Sequence, residues 1–294
     1  MSWVPDKKVS YSLWESLALR LLRFGVVPKH VAFIMDGNRR FARVNQLEKI
    51  QGYVQGFDKL AETLQWCHDL GIKEVTVYAF SIENFKRPQN EVDGLLDLAR
   101  DKFRRLLQEQ DRLREHGIRV RVIGNITLLP DDLKDLIDQA EKATETNEER
   151  ILNVAFSYTS REEIAQAVRK CAQGVEEGRI LAEDITEDLI ERCLYTNISR
   201  TVDLLIRTSG EVRLSDFLLW QSSYSVIHFE PVLWPDFSFK HLLAGVFHFQ
   251  RHQRQIQSVL DRHEDGKGAD LNVKSVERVK HFLAHLEQNR GHRS

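Results

Sequence analysis

The chain has 294 residues, 42% of them hydrophobic, and a formal net charge of -2. This length suffices for one large domain with a full hydrophobic core. The near-neutral charge excludes a polycation built to bind nucleic acid, so any anion site must be a local cluster of basic side chains. No run reaches the roughly 20 apolar residues of a membrane span, and the N-terminus lacks the apolar core of a signal peptide. We therefore expect a soluble or peripheral protein.

The N-terminal segment, residues 1–27, contains an amphipathic helical pattern over residues 10–24. Leucines and Trp14 follow helical spacing on one face, while Glu15, Arg20 and Arg23 take the other. Such a helix can lie in a membrane interface, with Trp14 at headgroup depth, or it can pack on the body of the protein. Both interpretations stay open.

Residues 28–260 contain six strand-like runs that alternate with helical patterns. The predicted strands are residues 31–35, 74–80, 119–124, 151–157, 202–206 and 226–229. The main predicted helices are residues 57–70, 91–116, 131–146 and 238–260, with another after Ser160. This alternation predicts an α/β domain with a six-stranded, mostly parallel sheet flanked by helices. The apolar face of residues 91–116 is unusually long, so it either packs in the core or lines an elongated apolar cavity.

The C-terminal tail, residues 261–294, is charged but carries an apolar stripe at helical spacing. The stripe consists of Val276, Val279, Phe282, Leu283 and Leu286. A docked helix at the end of the tail fits this pattern. The cysteines, Cys67, Cys171 and Cys193, are far apart in sequence and lack CxxC spacing, which predicts reduced, buried thiols.

The first strand stops abruptly at an acidic and basic cluster, Asp36-Gly37-Asn38-Arg39-Arg40. A glycine at the carboxyl end of a strand lets the backbone come close to a ligand. A single carboxylate suits Mg²⁺, which usually takes one or two protein carboxylates together with phosphate oxygens. Arginine forks fit phosphate. From this stretch alone, a diphosphate site and an ordinary charged turn are equally good interpretations.

The remaining strand ends favour the diphosphate site. Polar and basic residues follow the second and fifth strands as well, and they are Ser81, Asn84, Arg87, Arg207, Arg213 and Ser215. Parallel sheets bind their ligands outside the carboxyl ends of the strands. Several arginines beside one carboxylate indicate more than one diphosphate, with Mg²⁺ held largely by substrate oxygens.

Four ordered strings at these strand ends resemble the cis-prenyltransferase family, the undecaprenyl diphosphate synthase-like enzymes. The strings are residues 30–40 (HVAFIMDGNRR), 77–85 (VYAFSIENF), 203–211 (DLLIRTSGE) and 217–221 (FLLWQ). The resemblance covers residues 3–251 and is greatest to the eukaryotic branch of the family. It implies repeated cis-condensation of isopentenyl diphosphate onto a primer such as farnesyl diphosphate, within a fold that encloses an elongated hydrophobic tunnel.

The resemblance also implies the cellular role. In the eukaryotic branch the long polyprenyl diphosphate is the precursor of dolichol for protein glycosylation. The enzyme is peripheral to the endoplasmic reticulum membrane, on its cytosolic face, and uses Mg²⁺. The partner there is a Nogo-B-receptor-like accessory subunit, so we expect a heteromer.

Residue roles follow from the resemblance by position. Asp36 is expected to hold the allylic diphosphate through Mg²⁺, while Ser81 and Asn84 position the isopentenyl substrate and assist loss of its proton. The expected diphosphate-binding residues are Gly37, Asn38, Arg39, Arg40 and Arg87 for the primer, and Arg207, Arg213 and Ser215 for isopentenyl diphosphate.

The sequence departs from the family pattern in three places. Lys49 and Tyr53 stand where many members have Arg and His, and Val226 stands where bacterial homodimers have a metal-linked Glu. The Arg-x-Gly motif with which homodimeric members complete the isopentenyl site is also lacking. The last difference is the reason to expect that the partner subunit supplies that motif.

Two motifs point elsewhere but have simpler explanations. The string DDLKD at residues 131–135 matches the DDxxD motif of trans-prenyl synthases, yet it follows a proline at a helix start, where acids favour the helix dipole. His248 and His252 have zinc-helix spacing without a Glu-bearing HExxH string, so a solvated helix face is the better interpretation.

Two rival functions remain for the whole chain. A catalytically silent scaffold subunit should have lost Asp36 or the strand-end arginines, which this chain keeps. A phosphatase would require a nucleophile or a second metal carboxylate. Neither is evident in the sequence.

Overall fold

A computed structural model describes residues 3, 10–197, 199, 201–266 and 273–290. Its described residues contain one sheet of six strands. The strands are β1 (His30–Ile34), β2 (Glu74–Ser81), β3 (Ile118–Ile123), β4 (Arg150–Tyr158), β5 (Leu204–Arg207) and β6 (Val226–Phe229). They lie in the order β3-β4-β2-β1-β5-β6, and every pairing is parallel. The prediction of an α/β fold with a six-stranded parallel sheet is confirmed.

The helices that the structure describes cover the sequence between and beyond the strands. They are α1 (Leu13–Phe24), α2 (Asn38–Val44), α3 (Lys49–Leu70), α4 (Gln89–Gln108), α5 (Gln110–Glu115), α6 (Asp131–Thr144), α7 (Ser160–Glu176), α8 (Glu187–Cys193), α9 (Phe239–Gly266) and α10 (Val273–Arg290). None of them is long and apolar enough to cross a membrane.

The chain reverses direction across the sheet at β1. From β1 it moves outward to β2 and later returns to place β5 on the other side of β1, so that Phe33 pairs with both Val77 and Ile206. Parallel α/β sheets bind ligands at the carboxyl ends of the strands beside such a reversal. The ends of β1 and β5 are therefore the expected position of the site.

The apolar face predicted over residues 91–116 packs in the core, but the helix is broken. Val92, Leu96 and Phe103 of α4 are buried in the core cluster. The helix ends at Gln108 and α5 begins at Gln110, because Glu109 leaves helical geometry with φ -102° and ψ 13°. Its carboxylate accepts hydrogen bonds from the Trp3 backbone N–H and from Arg105, each at 2.9 Å.

Helix α1 turns one side to the protein and leaves the other exposed. Ser12 and Glu15 form a capping box at its start. The Leu22 carbonyl accepts a hydrogen bond from Gln250 at 2.7 Å, which fixes the helix on the body. Leu13 and Trp14, in contrast, are 90% and 80% exposed. The helix thus packs on the body and still presents an apolar surface.

Internal contacts divide the chain into two compact units. The first, residues 1–159 and 200–257, contains the whole sheet. The second, residues 160–199 and 258–294, contains α7, α8 and α10. Within the second unit Phe282 of the tail stripe is buried against Gly174, and Arg278 forms a two-pronged ion pair with Asp184.

The three cysteines are free and buried, as predicted. Burial raises the pKa of the Cys67 thiol. Cys171 and Cys193, although far apart in sequence, are neighbours in the second unit, with their sulfur atoms 3.8 Å apart.

Candidate active site

The turn after β1 presents Asp36. Gly37 adopts φ 108°, a left-handed conformation that favours glycine, and Leu233 lies against it. The Asp36 carboxylate accepts the Gly37 N–H at 2.7 Å, and its side chain is 33% exposed. Helix α2 begins at Asn38, directly after Gly37. Asp36 is therefore held at the sheet edge with one side of its carboxylate open.

Arg207, the last residue of β5, contacts both the motif after β1 and the motif after β5. Its Nη2 lies 2.9 Å from the Asp36 carboxylate, while Nη1 donates to the Ser215 hydroxyl at 2.7 Å and to the Arg213 carbonyl. The side chain is only 3% exposed. The structure therefore brings Asp36, Arg207, Arg213 and Ser215 together, with Arg207 already committed to protein groups.

Thr208 fixes the Asp36 backbone and was not predicted as a site residue. Its hydroxyl donates to the Asp36 carbonyl at 2.8 Å and receives the Asp36 N–H at 3.1 Å. The only sequence signal was its place directly after Arg207 in the string DLLIRTSGE. Its buried hydroxyl ties the end of β5 to the turn after β1.

Glu211 lies between two arginines at the exposed side of the site. Arg40 approaches Glu211 at 3.2 Å and Asp36 at 3.8 Å, and it donates to the Ser209 carbonyl at 3.1 Å. Arg213 also pairs with Glu211. Arg40 and Arg213 thus face the same opening, since both side chains are partly exposed.

A second cluster forms around Glu91, a residue that the sequence analysis did not select. Arg39, Lys49 and Arg87 lie 3.7, 3.3 and 3.1 Å from its carboxylate, and the Tyr53 hydroxyl donates to it at 3.3 Å. Burial alone would raise its pKa, but the cations Lys49, Arg87 and Arg39 lower the pKa below its usual value. The i,i+4 spacing from Arg87 was the available signal.

Ser81 and Asn84 are hydrogen-bonded to each other at the end of β2. The Ser81 N–H donates to the Asn84 side-chain oxygen at 3.1 Å, and the Ser81 hydroxyl accepts the Glu83 N–H at 3.2 Å. This capping box begins a short 3₁₀ helix, Ile82–Lys86. The Asn84 amide can still offer hydrogens to a ligand, whereas the Ser81 hydroxyl also forms a hydrogen bond with the Tyr78 side chain.

Asn38, the first residue of α2, is half-buried against α3. Its amide donates to the Met35 carbonyl at 3.1 Å, and its Oδ1 has no hydrogen-bond partner among the described residues. A Cβ on Gly56 would lie 2.2 Å from that oxygen, and one on Gly52 would lie 2.3 Å from the Asn38 carbonyl. The two glycines therefore allow α3 to approach the start of α2 closely.

The loop after β5 is conformationally strained. Ser209, Ser215, Asp216 and Leu218 have φ values of 85°, 49°, 60° and 46°. Positive φ at residues other than glycine costs free energy and clusters at functional sites. The hydrogen bonds of Arg207 to Ser215 and to the Arg213 carbonyl help to hold the loop in this conformation.

The donor set suits one kind of metal site. Among the described residues no group of three His, Cys, Asp or Glu side chains could hold a metal ion. Val226, at the position of the bacterial glutamate, is a buried residue of β6. Asp36 shares Arg40 with a second carboxylate, Glu211, and so sparse an acidic set beside arginines fits Mg²⁺ coordinated mostly by diphosphate oxygens and water.

The DDLKD string at residues 131–135 and the pair His248 and His252 lie outside this site. Asp131 and Asp132 begin α6, where Asp132 pairs with Arg100 at 2.6 Å. The expectation of a solvated face for His248 and His252 is wrong. His248 is half-buried, with its Nδ1 3.3 Å from the Nδ1 of His228, and His252 bonds to the His248 carbonyl. Strand β6 supplies the third ring, which helical spacing could not reveal.

Comparison with known proteins identifies the family. A family model described as putative undecaprenyl diphosphate synthase matches residues 34–257. The chain belongs to this family. It is a cis-prenyltransferase, and the matched residues run from the end of β1 through β6 and into α9.

Relatives of this cis-prenyltransferase occur among eukaryotes and archaea. The human dehydrodolichyl diphosphate synthase complex subunit is 54% identical over 90% of this chain and 79% of its own length. The tritrans,polycis-undecaprenyl-diphosphate synthase (geranylgeranyl-diphosphate specific) of Pyrococcus horikoshii is 45% identical over 84% of this chain and 94% of its own.

Solved structures agree on the fold of the cis-prenyltransferase. Lavandulyl diphosphate synthase from Lavandula x intermedia, in complex with dimethylallyl diphosphate, superposes with a TM-score of 0.72. It is 35% identical, and the match covers 76% of this chain and 95% of the other. A probable undecaprenyl diphosphate synthase from Campylobacter jejuni is 29% identical over 76% of this chain and 95% of its own, with a TM-score of 0.62.

Proposed function

We propose that the chain is the catalytic subunit of a dehydrodolichyl diphosphate synthase. It condenses isopentenyl diphosphate repeatedly, with cis geometry, onto farnesyl diphosphate, and the long polyprenyl diphosphate serves as the precursor of dolichol for protein glycosylation. The observation that carries the proposal is the ion pair of Asp36 with Arg207, which joins the ends of β1 and β5 at the reversal of the sheet. The name of the human relative supports the same assignment.

The primer diphosphate binds at the end of β1. Asp36 would hold Mg²⁺ beside this diphosphate, and Gly37 allows the diphosphate oxygens to approach the backbone. Asn38 shapes the turn, while Arg39, Arg40 and Arg87 surround the diphosphate from α2 and from the residues after β2. When bound, Mg²⁺ supplies positive charge that stabilises the departing diphosphate.

Isopentenyl diphosphate binds at the end of β5. Arg213 and the hydroxyl of Ser215 contact it, and Arg207 holds both in place through its own hydrogen bonds. Asn84 and Ser81 position this substrate from the end of β2, with the Asn84 amide donating hydrogen bonds. The two diphosphates then lie on either side of the Asp36–Arg207 pair.

The reaction requires charge stabilisation and no covalent nucleophile. The C–O bond between primer and diphosphate breaks, and its electron pair leaves with the diphosphate. The double bond of isopentenyl diphosphate supplies the electrons of the new C–C bond. A proton then passes from the adjacent carbon to the released diphosphate, and the electrons of that C–H bond form a new double bond. Arginines fixed before the substrate arrives stabilise the leaving group, because they need no reorganisation.

The functional enzyme is a heteromer at a membrane. The human relative is named as a subunit of a complex, which supports a partner, and we assign that role to a Nogo-B-receptor-like accessory subunit. The exposed Leu13 and Trp14 of α1 supply a surface for peripheral attachment to the cytosolic face of the endoplasmic reticulum. No helix that the structure describes could span the bilayer instead.

Incorporation of labelled isopentenyl diphosphate onto farnesyl diphosphate tests this proposal. The purified chain is assayed alone and with a Nogo-B-receptor-like subunit, with Mg²⁺ or with a chelator. We expect strong incorporation only with partner and Mg²⁺, and its loss in Asp36→Ala. Full activity of the chain alone would overturn the heteromer, and activity that survives Asp36→Ala would overturn the assigned site.

A further inference from the structure

Two of the three cysteines form a pair inside the second unit. Cys171 lies in α7 and Cys193 is the last residue of α8, yet their sulfur atoms are 3.8 Å apart and share a hydrogen bond. Both residues are 1% exposed, and both belong to the same compact unit. The proposed reaction needs no covalent nucleophile. The assigned active site therefore gives this pair no role.

Residues of α7 fix the backbone around Cys193. The Lys170 ammonium donates to the Cys193 carbonyl at 2.9 Å, and it lies 5.6 Å from the centre of the Tyr195 ring. The Tyr195 hydroxyl in turn donates to the Glu162 carboxylate at 2.8 Å. These contacts hold the end of α8 on α7, so the two sulfur atoms are neighbours without a covalent bond between them.

The spacing of the two sulfur atoms allows a disulfide to form with local movement. A disulfide needs a separation of about 2.05 Å, so the sulfur atoms must approach by roughly 1.8 Å from the 3.8 Å of the reduced pair. Rotation of a cysteine side chain between staggered positions moves its sulfur by more than this distance. Cys193 also ends a seven-residue helix, and helix ends open at little cost in free energy. A small oxidant can therefore reach the pair when the end of α8 opens.

The surroundings of Cys171 favour the thiolate, which is the form of cysteine that attacks an oxidant. The hydrogen bond with Cys193 lowers the pKa of Cys171 below its usual value, and the positive charge of Lys170 acts in the same direction, against the effect of burial. Cys67 behaves in the opposite way, because burial raises its pKa. The chain therefore contains a buried, unreactive thiol with which the pair can be compared.

We propose that Cys171 and Cys193 are a reversible oxidation site, at which a hydroperoxide converts the two thiols into a disulfide. The bond would join α7 to α8 and close a loop over residues 171–193. A disulfide restricts the unfolded chain, so the oxidised second unit is more stable than the reduced one.

The oxidation proceeds in two balanced steps. The Cys171 thiolate attacks one oxygen of hydrogen peroxide, the O–O bond breaks, and the other oxygen leaves as hydroxide, which takes up the proton that Cys171 released; Cys171 is then a sulfenic acid. The Cys193 sulfur attacks the sulfenic sulfur, the S–S bond forms and the S–O bond breaks. The departing hydroxide takes up the Cys193 proton. Two thiols and one peroxide thus give one disulfide and two waters, and a dithiol reductant reverses the change.

Peptide mapping of the oxidised full-length chain tests the site. The reduced protein is treated with hydrogen peroxide, catalase removes the excess, and the protein is unfolded in N-ethylmaleimide, which blocks every remaining thiol. We expect one bridged peptide that joins Cys171 to Cys193, with Cys67 recovered as the blocked thiol. We also expect Tm to rise by several degrees and dithiothreitol to remove the rise. Both changes should be absent in Cys171→Ala and Cys193→Ala and retained in the matched control Cys67→Ala.

The mapping of the wild-type chain needs no variant, so it decides the matter even if an alanine variant does not fold. Three blocked thiols after peroxide, a sulfinic acid on Cys171 or Cys193 without a bridge, or a bridge to Cys67 would overturn the proposed site. A bridged chain with the Tm of the reduced chain would overturn the stabilising effect. Neither readout requires isopentenyl transfer, so the result is independent of the proposed function.

Discussion

Groups of the protein hold the carboxylate of Asp36 in place before any substrate binds. Arg207 lies 2.9 Å from it, Arg40 lies 3.8 Å away, and the Gly37 N–H donates to it. These contacts hold the carboxylate in one orientation while a third of its surface stays exposed. Such preorganisation is what stabilises charge that develops on a departing diphosphate.

Replacing Asp36 by asparagine should reduce activity strongly without unfolding the protein. Asp36→Asn keeps the shape of the side chain but removes the charge that pairs with Arg207 and that would attract the proposed Mg²⁺. We expect kcat to fall by about 10²–10³-fold, the usual cost of removing one group that stabilises transition-state charge. The control is Asp131→Asn, in the exposed DDLKD string, which should retain full activity. Loss of activity in the control would contradict the assignment.

Removing the Thr208 hydroxyl should weaken both stability and catalysis. Thr208→Val loses two hydrogen bonds to the Asp36 backbone, whose N–H still donates to the Ile34 carbonyl and whose carbonyl still accepts the Trp234 N–H. We expect about 1–3 kcal/mol less free energy of unfolding, measured by urea denaturation, together with reduced kcat. Thr208→Ser keeps the hydroxyl and should restore most of both. If Thr208→Ser restores neither the free energy of unfolding nor kcat, the methyl group of Thr208 and not its hydroxyl is required.

The strand-end residues could be predicted from the sequence, but the residues that hold them in place could not. Asp36, Arg207 and Ser215 were found because polar motifs follow predicted parallel strands. Thr208 gained its role through contacts with a residue 172 positions away, and Glu91 contacts Lys49, 42 positions away, in addition to its local neighbour Arg87. Lys49, which departs from the family pattern, turns out to bind Glu91.

Close packing of α2 on α3 positions the turn that carries Asp36. Gly52 and Gly56 face Asn38, and there is no room for a Cβ at either position. The Trp234 indole N–H donates to the Gly56 carbonyl at 2.7 Å and also fixes the helix at this point. The interface between α2 and α3 is therefore part of the site's support.

Alanine at Gly52 should destabilise the protein and disturb the site. The new Cβ would lie 2.3 Å from the Asn38 carbonyl, a backbone atom that cannot move without shifting the start of α2. We expect Gly52→Ala to lose about 1–3 kcal/mol of unfolding free energy and to raise KM for the primer. Gly94→Ala is the matched control, because its Cβ meets only Ile50 at 3.5 Å and alanine favours the helix. A stable, fully active Gly52→Ala would contradict this account.

Long helices and buried strands were predictable as elements, and short helices were not. Helix α2 has seven residues and α8 also has seven, too few for a clear periodicity. The break at Glu109 depends on Trp3, more than a hundred residues away in the chain. Tertiary contacts, absent from local sequence patterns, decided these boundaries.

At the scale of the molecule, the order of the strands explains why distant motifs form one site. Strand β5 returns beside β1, so motifs about 170 positions apart meet at one edge. Alternating elements predicted the parallel sheet, but only the strand order showed which ends are adjacent. The sequence also gave no sign that α7 and α8 group with α10 in a second unit.

The second unit should show a specific response to acid. The hydrogen bonds from Arg278 lower the pKa of Asp184 from 3.8 to about 2. The ionised pair therefore contributes its full stabilisation above pH 3.8 and loses it as the pH falls through about 2. We expect Arg278→Leu to lower Tm at neutral pH, with the difference from wild type shrinking toward pH 2. Glu183, which is 69% exposed and lies 3.7 Å from Arg278, provides the control, since Glu183→Gln should change the profile much less than Arg278→Leu.

In the proposed mechanism two diphosphate subsites flank the Asp36–Arg207 pair. Steady-state kinetics of two arginine variants test this arrangement. Both arginines are more than half exposed, Arg39 after β1 and Arg213 after β5, so neither substitution should unfold the protein. We predict that Arg39→Ala raises KM for farnesyl diphosphate and that Arg213→Ala raises KM for isopentenyl diphosphate, each with little effect on the other substrate. Equal effects on both substrates in both variants, or no effect in either, would contradict the account.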